Sequence, residues 1–214
     1  PLKENEFVPN PKFVPTFKKE EENYKEAAKI LKESGADLLI LEMLLDVDHS
    51  KILLNAALET GLPVWVGLSC CDSKFDNSVI GRNFRAEKEK SLIYDENKHK
   101  DQPKYLPEDK IILLEDIIKS LMSLGGDVYG IMHTWFQDSI SGLKILKNNW
   151  KGPIMFYPEI HKFDTNTHKA IITMTEEEFS NSILELIDDQ IQIVGGCCGV
   201  NDKHLKRLIQ SISD

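Results

Sequence analysis

The stretch "GADLLILEM", residues 35–43, predicts how this chain folds. Gly35 ends a helical pattern that begins near Thr16, since glycine readily adopts the left-handed conformation found at helix ends. The continuous apolar run at 37–43 then predicts a buried strand. The expected inner face of the helix consists of Tyr24, Ala27, Ala28, Ile30 and Leu31.

The same helix-then-strand unit recurs along the chain. Strands are predicted at 37–43, 63–69, 127–133, 153–159 and 191–196. Each is apolar throughout and is followed by a helix or a long loop, which is typical of an α/β protein with a parallel sheet. The length of 214 residues predicts a single domain, 1–214.

One segment breaks this alternation. Residues 72–109 are polar, charged and long for a connection between a strand and a helix. We interpret this segment as a long insertion, either an excursion over a site or a mobile surface loop.

The net charge of −9 argues against a nucleic acid or an anionic membrane as partner, because both attract basic patches. No apolar run approaches the roughly 18–20 residues of a membrane span. The opening residues lack the basic-then-apolar pattern of a signal peptide. A cytoplasmic location is therefore expected.

Polar and thiol side chains collect where the predicted strands end. They are Glu42, Ser69, Cys70, His133, Tyr157, Cys197 and Cys198. In (β/α) architectures the active site lies at the carboxyl ends of the strands. Packing alone does not readily account for such residues at five strand ends, so the sequence predicts a site there.

The four cysteines form two adjacent pairs, the second within "IVGGCCGV", residues 193–200. A disulfide between neighbours closes a strained ring, so reduced thiols are expected. The flanking glycines would let Cys197 and Cys198 converge, and thiolates with an imidazole are ligands that Zn²⁺ prefers. His133 is the best third ligand. Spacing alone leaves the alternative that these cysteines are small buried residues in a tight turn.

Five segments resemble, in order, the homocysteine S-methyltransferase family. "GGCCGV", before the helix "NDKHLKRL", resembles the family's zinc-binding Gly-Gly-Cys-Cys-Gly turn. The other four segments are "GADLLILEM", "LPVWVGLS", "GGDVYGIMH" and "PIMFYPE". The chain departs from the family at three strand ends, where it has Met43, His133 and Glu159 in place of Thr, Cys and Asn. The imidazole would leave the metal with one negative charge fewer and a bound substrate thiolate less nucleophilic.

The resemblance implies a zinc-dependent (β/α)8 TIM barrel that methylates the thiol of homocysteine, giving methionine. The methyl donor would be a sulfonium or quaternary ammonium compound. By the same resemblance, His133, Cys197 and Cys198 would hold Zn²⁺, while Glu42, Ser69 and Tyr157 would line the substrate site. The sequence matches only strands four to eight of the barrel, so a partial barrel is expected. A partner chain or an oligomer could cover the open sheet edges.

Two other readings remain open at this point. The missing strands and the histidine at position 133 favour a non-catalytic partial barrel that binds metal or completes another chain. A metal-assisted hydrolase is the weaker alternative, because few His and Asp residues lie at strand ends.

Overall fold

The structure is a computed structural model, and it describes residues 15–73, 78–82, 111–164 and 169–213. The helices are α1 Phe17–Glu33, α2 Asp48–Leu58, α3 Leu114–Met122, α4 Phe136–Asn149, α5 Glu176–Leu184 and α6 Asp202–Ser213. The strands are β1 Leu39–Leu44, β2 Val64–Leu68, β3 Cys71–Asp72, β4 Val79–Arg82, β5 Ile111–Leu113, β6 Val128–Trp135, β7 Ile154–Glu159, β8 His161–Asp164, β9 Lys169–Ile172 and β10 Ile191–Val194.

The main sheet has five strands in the order β1-β2-β6-β7-β10, and every neighbouring pair is parallel. These are the five strands predicted from the apolar runs, so the predicted α/β fold with a parallel sheet is confirmed. β6 continues to Trp135, two residues beyond its predicted end. β10 ends at Val194, and the chain leaves the strand before the two cysteines. All five carboxyl ends therefore lie at one edge of the sheet.

Two smaller antiparallel sheets flank the main one. β3, β4 and β5 form a three-stranded sheet, and β8 pairs with β9 as a hairpin. β4 lies inside the segment 72–109, where Ile80 is buried against the core. Residues 74–77 and 83–109 of that segment lie outside the described residues. The assignment of 72–109 as an insertion in a single domain, 1–214, stays a prediction.

Helix α1 begins at Thr16, whose hydroxyl oxygen accepts a hydrogen bond from the backbone N–H of Lys19. Its buried face carries Glu20 and Ala28, which are two helical turns apart. The predicted inner face was right for Ala28 but wrong for Ile30 and Leu31, which are 54% and 51% exposed. The helix packs on α2, and its Glu20 contacts His49 of that helix.

Among the described residues, no strand pairs with the outer edge of β1 or of β10. Ile40, on β1, is 45% exposed even though its register partner on β2, Trp65, is partly buried. The sheet is thus open at both of its edges. Within the described part of the chain, no helix is both long and apolar enough to cross a membrane.

A buried polar contact joins α1 to the start of α2. Glu20 is only 5% exposed, and its Oε1 lies 2.6 Å from Nδ1 of His49. The backbone N–H of His49 donates to the carboxylate of Asp46, whose pKa is raised by burial. Burial and the nearby Glu20 carboxylate raise the pKa of Tyr24 to about 12. The contact fixes α1 beside the carboxyl end of β1.

We expect His49→Ala to lower the free energy of unfolding by about 1–3 kcal/mol, because it takes a hydrogen-bonding partner from a buried carboxylate. Urea denaturation followed by circular dichroism measures this change. Lys18→Ala, an exposed change on α1, the other helix of this contact, is the control and should stay within about 0.5 kcal/mol of the original protein. A His49→Ala protein as stable as the control would contradict the structural role of this contact.

Candidate metal and substrate site

The structure brings the predicted metal ligands together at the carboxyl edge of the sheet. Sγ of Cys197 lies 3.8 Å from Nδ1 of His133 and 3.8 Å from Sγ of Cys198. One donor atom from each of the three residues lies within 4.8 Å of the others. All four cysteines of the chain are free thiols.

These separations suit a zinc ion. Zn–S bonds of about 2.3 Å and Zn–N bonds of about 2.0–2.1 Å place tetrahedral ligands about 3.8 Å apart for two sulfurs and about 3.5 Å apart for sulfur and nitrogen. The two measured separations of 3.8 Å are within a few tenths of an ångström of these values. Three protein donors with the fourth position open are typical of catalytic zinc sites. The donor set therefore fits Zn²⁺ with little movement of the side chains.

Main-chain hydrogen bonds fix the turn that carries both cysteines. The N–H of Gly195 donates to the carbonyl of Phe156, and the N–H of Cys197 donates to that of Pro158. The carbonyl of Cys198 accepts from the N–H of Ile160. The turn thus continues the pairing with β7 beyond Val194, where β10 ends.

Of the three glycines around the cysteine pair, only Gly199 has a positive φ, at +89°. A side chain there would be strained, and its Cβ would lie 3.1 Å from Cβ of His161. The prediction that glycines allow the turn holds for Gly199. Gly195 and Gly196 lie outside the left-handed region, so they contribute through close packing instead, with a Cβ at Gly196 overlapping Val200.

His133 lies in a break in the pairing of β6 with β7. The register shifts between Met132 and Trp135, and His133 has a φ of +43°, which is uncommon for a residue other than glycine. Such strain collects at functional sites and persists only where neighbouring structure holds it. The break ends the regular alternation of side chains and directs the His133 imidazole toward Cys197.

A small network of hydroxyl groups holds this break. The carbonyl of Met132 accepts hydrogen bonds from Ser69 at 2.9 Å and from Thr134 at 2.8 Å. The Thr134 hydroxyl also accepts from the backbone N–H of Cys70 at 3.0 Å. Ser69 and Thr134 are both 2% exposed. Ser69 was predicted to line the substrate site, and in the structure its hydroxyl is committed to the backbone next to His133.

The thiol of Cys70, which follows Ser69 in the sequence, has different surroundings from the thiols of Cys197 and Cys198. Cys70 is buried, and burial raises its pKa well above the ordinary value. Its Sγ lies over Gly142 of α4, where an added Cβ would come within 2.5 Å of the sulfur. A buried, protonated thiol of this kind is a packing group and not a metal ligand.

Two donor residues beside the metal ligands were missed as site residues from the sequence. Glu159 Oε2 lies 3.6 Å from Nδ1 of His133, and His161 Nδ1 lies 4.0 Å from the same oxygen. His161 begins β8 with its side chain partly buried. The sequence signal for Glu159 was its position at the end of β7.

The surroundings of His133 favour its protonated form in the metal-free protein. Its pKa is raised mainly by the contact with the thiol of Cys197, against the effect of partial burial. The Glu159 carboxylate also raises this pKa. A cation that binds to the imidazole must displace a proton from it, so metal affinity is coupled to pH.

The side chains of Glu42, on β1, and Tyr157, on β7, contact each other. The Tyr157 hydroxyl donates to Oε1 of Glu42 at 3.4 Å, and the Glu42 side chain is exposed. Burial raises the pKa of Tyr157, and the negative charges of Glu42 and Cys197 add to the effect. The Tyr157 hydroxyl therefore lies beside an exposed carboxylate. Gly67 makes room for it, because a Cβ there would lie 3.1 Å from the Tyr157 hydroxyl.

Fold and site together define a parallel α/β protein with a thiolate–imidazole donor set at the carboxyl ends of its strands. The family model described as homocysteine S-methyltransferase matches residues 5–91 and 113–212, which is most of the chain. The chain belongs to the homocysteine S-methyltransferase family. Among curated protein sequences no match was found.

Solved structures of the homocysteine methyltransferase MmuM from Escherichia coli have a similar fold. The apo form has a TM-score of 0.60 at 14% identity, over 92% of this chain and 59% of that one. The metallated form has a TM-score of 0.59 at 14% identity, over 94% and 54%. The oxidized form has a TM-score of 0.60 at 13% identity, over 93% and 53%. At this identity the likeness establishes the fold alone, and the chain spans little more than half the length of these structures.

We expect Thr134→Val to lower the free energy of unfolding by about 1–3 kcal/mol, because it leaves the buried Cys70 N–H without its acceptor. It should also weaken metal binding by loosening the backbone at His133. Urea denaturation and zinc titration measure the two effects. Thr134→Ser keeps the hydroxyl and is the matched control. Equal stability of the valine and serine variants would contradict the role given to this hydroxyl.

Proposed function

We propose that this chain carries the zinc site of a homocysteine S-methyltransferase, which transfers a methyl group from a sulfonium or quaternary ammonium donor to homocysteine. The observation that carries the proposal is the spacing of Cys197, Cys198 and His133, which suits tetrahedral zinc. Membership of the family supports the same chemistry. Free thiols are consistent with a reducing compartment such as the cytoplasm.

Cys197, Cys198 and His133 would hold the zinc ion through two sulfurs and one ring nitrogen. Zinc bound there would lower the pKa of a substrate thiol from about 8.5, so that the thiol is ionised near neutral pH. In the transfer, the acceptor sulfur forms a bond to the methyl carbon while the bond from that carbon to the donor's sulfur or nitrogen breaks. The electron pair of the broken bond leaves with the donor, so no further reactant is needed.

The substrate's amino group would bind at Glu42. This carboxylate is exposed at the end of β1, and its charge complements an ammonium group. Tyr157 donates to the same carboxylate, so it would help to orient Glu42 toward the amino-acid end of the substrate. Ser69 would act one step away from the substrate, by holding the backbone beside His133.

We further propose that the sheet is the part of a (β/α)8 TIM barrel that contains strands four to eight. The length of the matched structures supports this, since the chain covers 53–59% of them. The open sheet edges support it as well. The first and last helices both carry exposed apolar side chains. These are Ile30 and Leu31 on α1 and Leu205, Ile209 and Ile212 on α6. The remaining strands and helices of the barrel, on the same or another polypeptide, would cover these residues.

Zinc analysis coupled to a methylation assay tests the function. We expect one tightly held zinc per chain after dialysis under reducing conditions, and methionine formed from homocysteine. S-methylmethionine serves as the sulfonium probe and betaine as the quaternary ammonium probe. Cys197→Ser and His133→Ala should each weaken zinc binding by more than the roughly 10–100-fold typical of residues behind the ligands. Cys71→Ser is the matched control and should retain zinc.

Absence of tightly held zinc from the reduced protein would contradict the metal assignment. Full zinc affinity in His133→Ala would contradict the third ligand and leave the cysteine pair standing. Zinc binding without methionine formation would favour the alternative, a non-catalytic partial barrel. The two open edges of the sheet are the observation that favours this alternative.

The partial barrel predicts that the 214-residue chain self-associates at micromolar concentration, because exposed apolar side chains and unpaired strand edges promote association. Analytical ultracentrifugation measures the association. Ile209→Lys together with Ile212→Lys should reduce it by removing the apolar stripe of α6. Gln210→Lys, which adds a charge to the same helix without removing apolar surface, is the matched control. A chain that stays monomeric at these concentrations would contradict the prediction.

A further inference from the structure

A second set of donor atoms adjoins the proposed zinc position. Glu159, His161 and Cys198 each offer one ligand atom, and the three atoms lie within 4.8 Å of one another. The first set is His133, Cys197 and Cys198, so Cys198 belongs to both sets. The second set offers an oxygen, a nitrogen and a sulfur, all of which Zn²⁺ accepts.

Two atoms of this second set are buried without a hydrogen-bond partner. They are Oε2 of Glu159 and Nδ1 of His161, and neither has a hydrogen-bond partner among the described residues, although Oε2 of Glu159 lies 3.6 Å from Nδ1 of His133. A buried polar atom left unsatisfied is destabilising, so such atoms in a native protein call for an explanation. The two atoms are 4.0 Å apart, which is too far for a hydrogen bond between them. Tetrahedral zinc would place an oxygen and a nitrogen ligand about 3.4 Å apart, so the two side chains would have to approach each other by about half an ångström to bind one ion.

The backbone holds these donors in place independently of any ion. Ile160, between the two residues, accepts a hydrogen bond from the N–H of Thr173 and donates its own N–H to the carbonyl of Cys198. Gly199 packs directly against His161. The strand ends and the cysteine turn are therefore fixed to each other, and the donors are not brought together by a flexible loop.

We propose that Glu159, His161 and Cys198 form a second position for a divalent cation, next to the first and sharing the Cys198 thiolate with it. Zn²⁺ is the cation that the donors suit best. This position adjoins the zinc position of the methyl-transfer site proposed above and shares Cys198 with it, but it does not require that activity. It binds less tightly than the first position, because it has one shared thiolate where the first has two.

Titration of the reduced, metal-free protein with Zn²⁺, followed by isothermal calorimetry, tests the proposal. Two equivalents should bind, the second more weakly than the first. His161→Ala and the isosteric Glu159→Gln should each abolish the second equivalent and leave the first in place. Cys197→Ser should weaken the first and spare the second, and Cys198→Ser should weaken both. Glu26→Gln, an exposed change on α1, is the matched control and should bind as the original chain does.

Titration with Co²⁺ gives a second readout, since two bound ions should produce absorption changes that continue beyond one equivalent. Saturation of the original chain at one equivalent of either metal would overturn the proposal. So would a second equivalent that survives both His161→Ala and Glu159→Gln. Loss of the second equivalent in His161→Ala or Glu159→Gln, with the first equivalent retained, would show that the second position can be removed while the zinc site of the proposed function remains.

Discussion

The geometry of the proposed metal site depends on the hydrogen bonds that the carbonyl of Met132 accepts. Hydroxyls of Ser69 and Thr134 both donate to this one oxygen, and they hold the chain where β6 departs from regular pairing. His133 follows with a positive φ that a regular strand would not allow. Without these two hydrogen bonds the imidazole would return to strand alternation and lose its direction toward Cys197. Two buried hydroxyls thus determine the ligand geometry without contacting the ligand position.

A second constraint acts on the other side of the site. Hydrogen bonds between β7 and the cysteine turn are made by main-chain atoms, from Gly195 with Phe156 to Cys198 with Ile160. They place the thiols next to Glu159 and His161 whatever side chains occupy those positions. The packing of Gly199 against His161 then closes the turn.

The five strands were predictable because each is a continuous apolar run, and continuous runs occur in sheets covered on both faces. The convergence of His133, Cys197 and Cys198 was predictable because parallel strands end at one edge. The place of His161 was not, since it depends on a hairpin whose register no local pattern reveals. Nor was the role of Thr134, which arises from a backbone irregularity. Ile30 and Leu31 were placed on the inner face because they are apolar, but the buried residues of α1 are Glu20 and Ala28.

The main-chain origin of the cysteine turn has a consequence for how such a site can change over time. The backbone hydrogen bonds that position residues 197 and 198 are insensitive to side-chain identity. An exchange of thiolate, imidazole or carboxylate among these strand ends therefore alters the preference for a metal without disturbing the fold. This edge of the sheet is a frame in which metal selectivity can evolve, or be engineered, one side chain at a time.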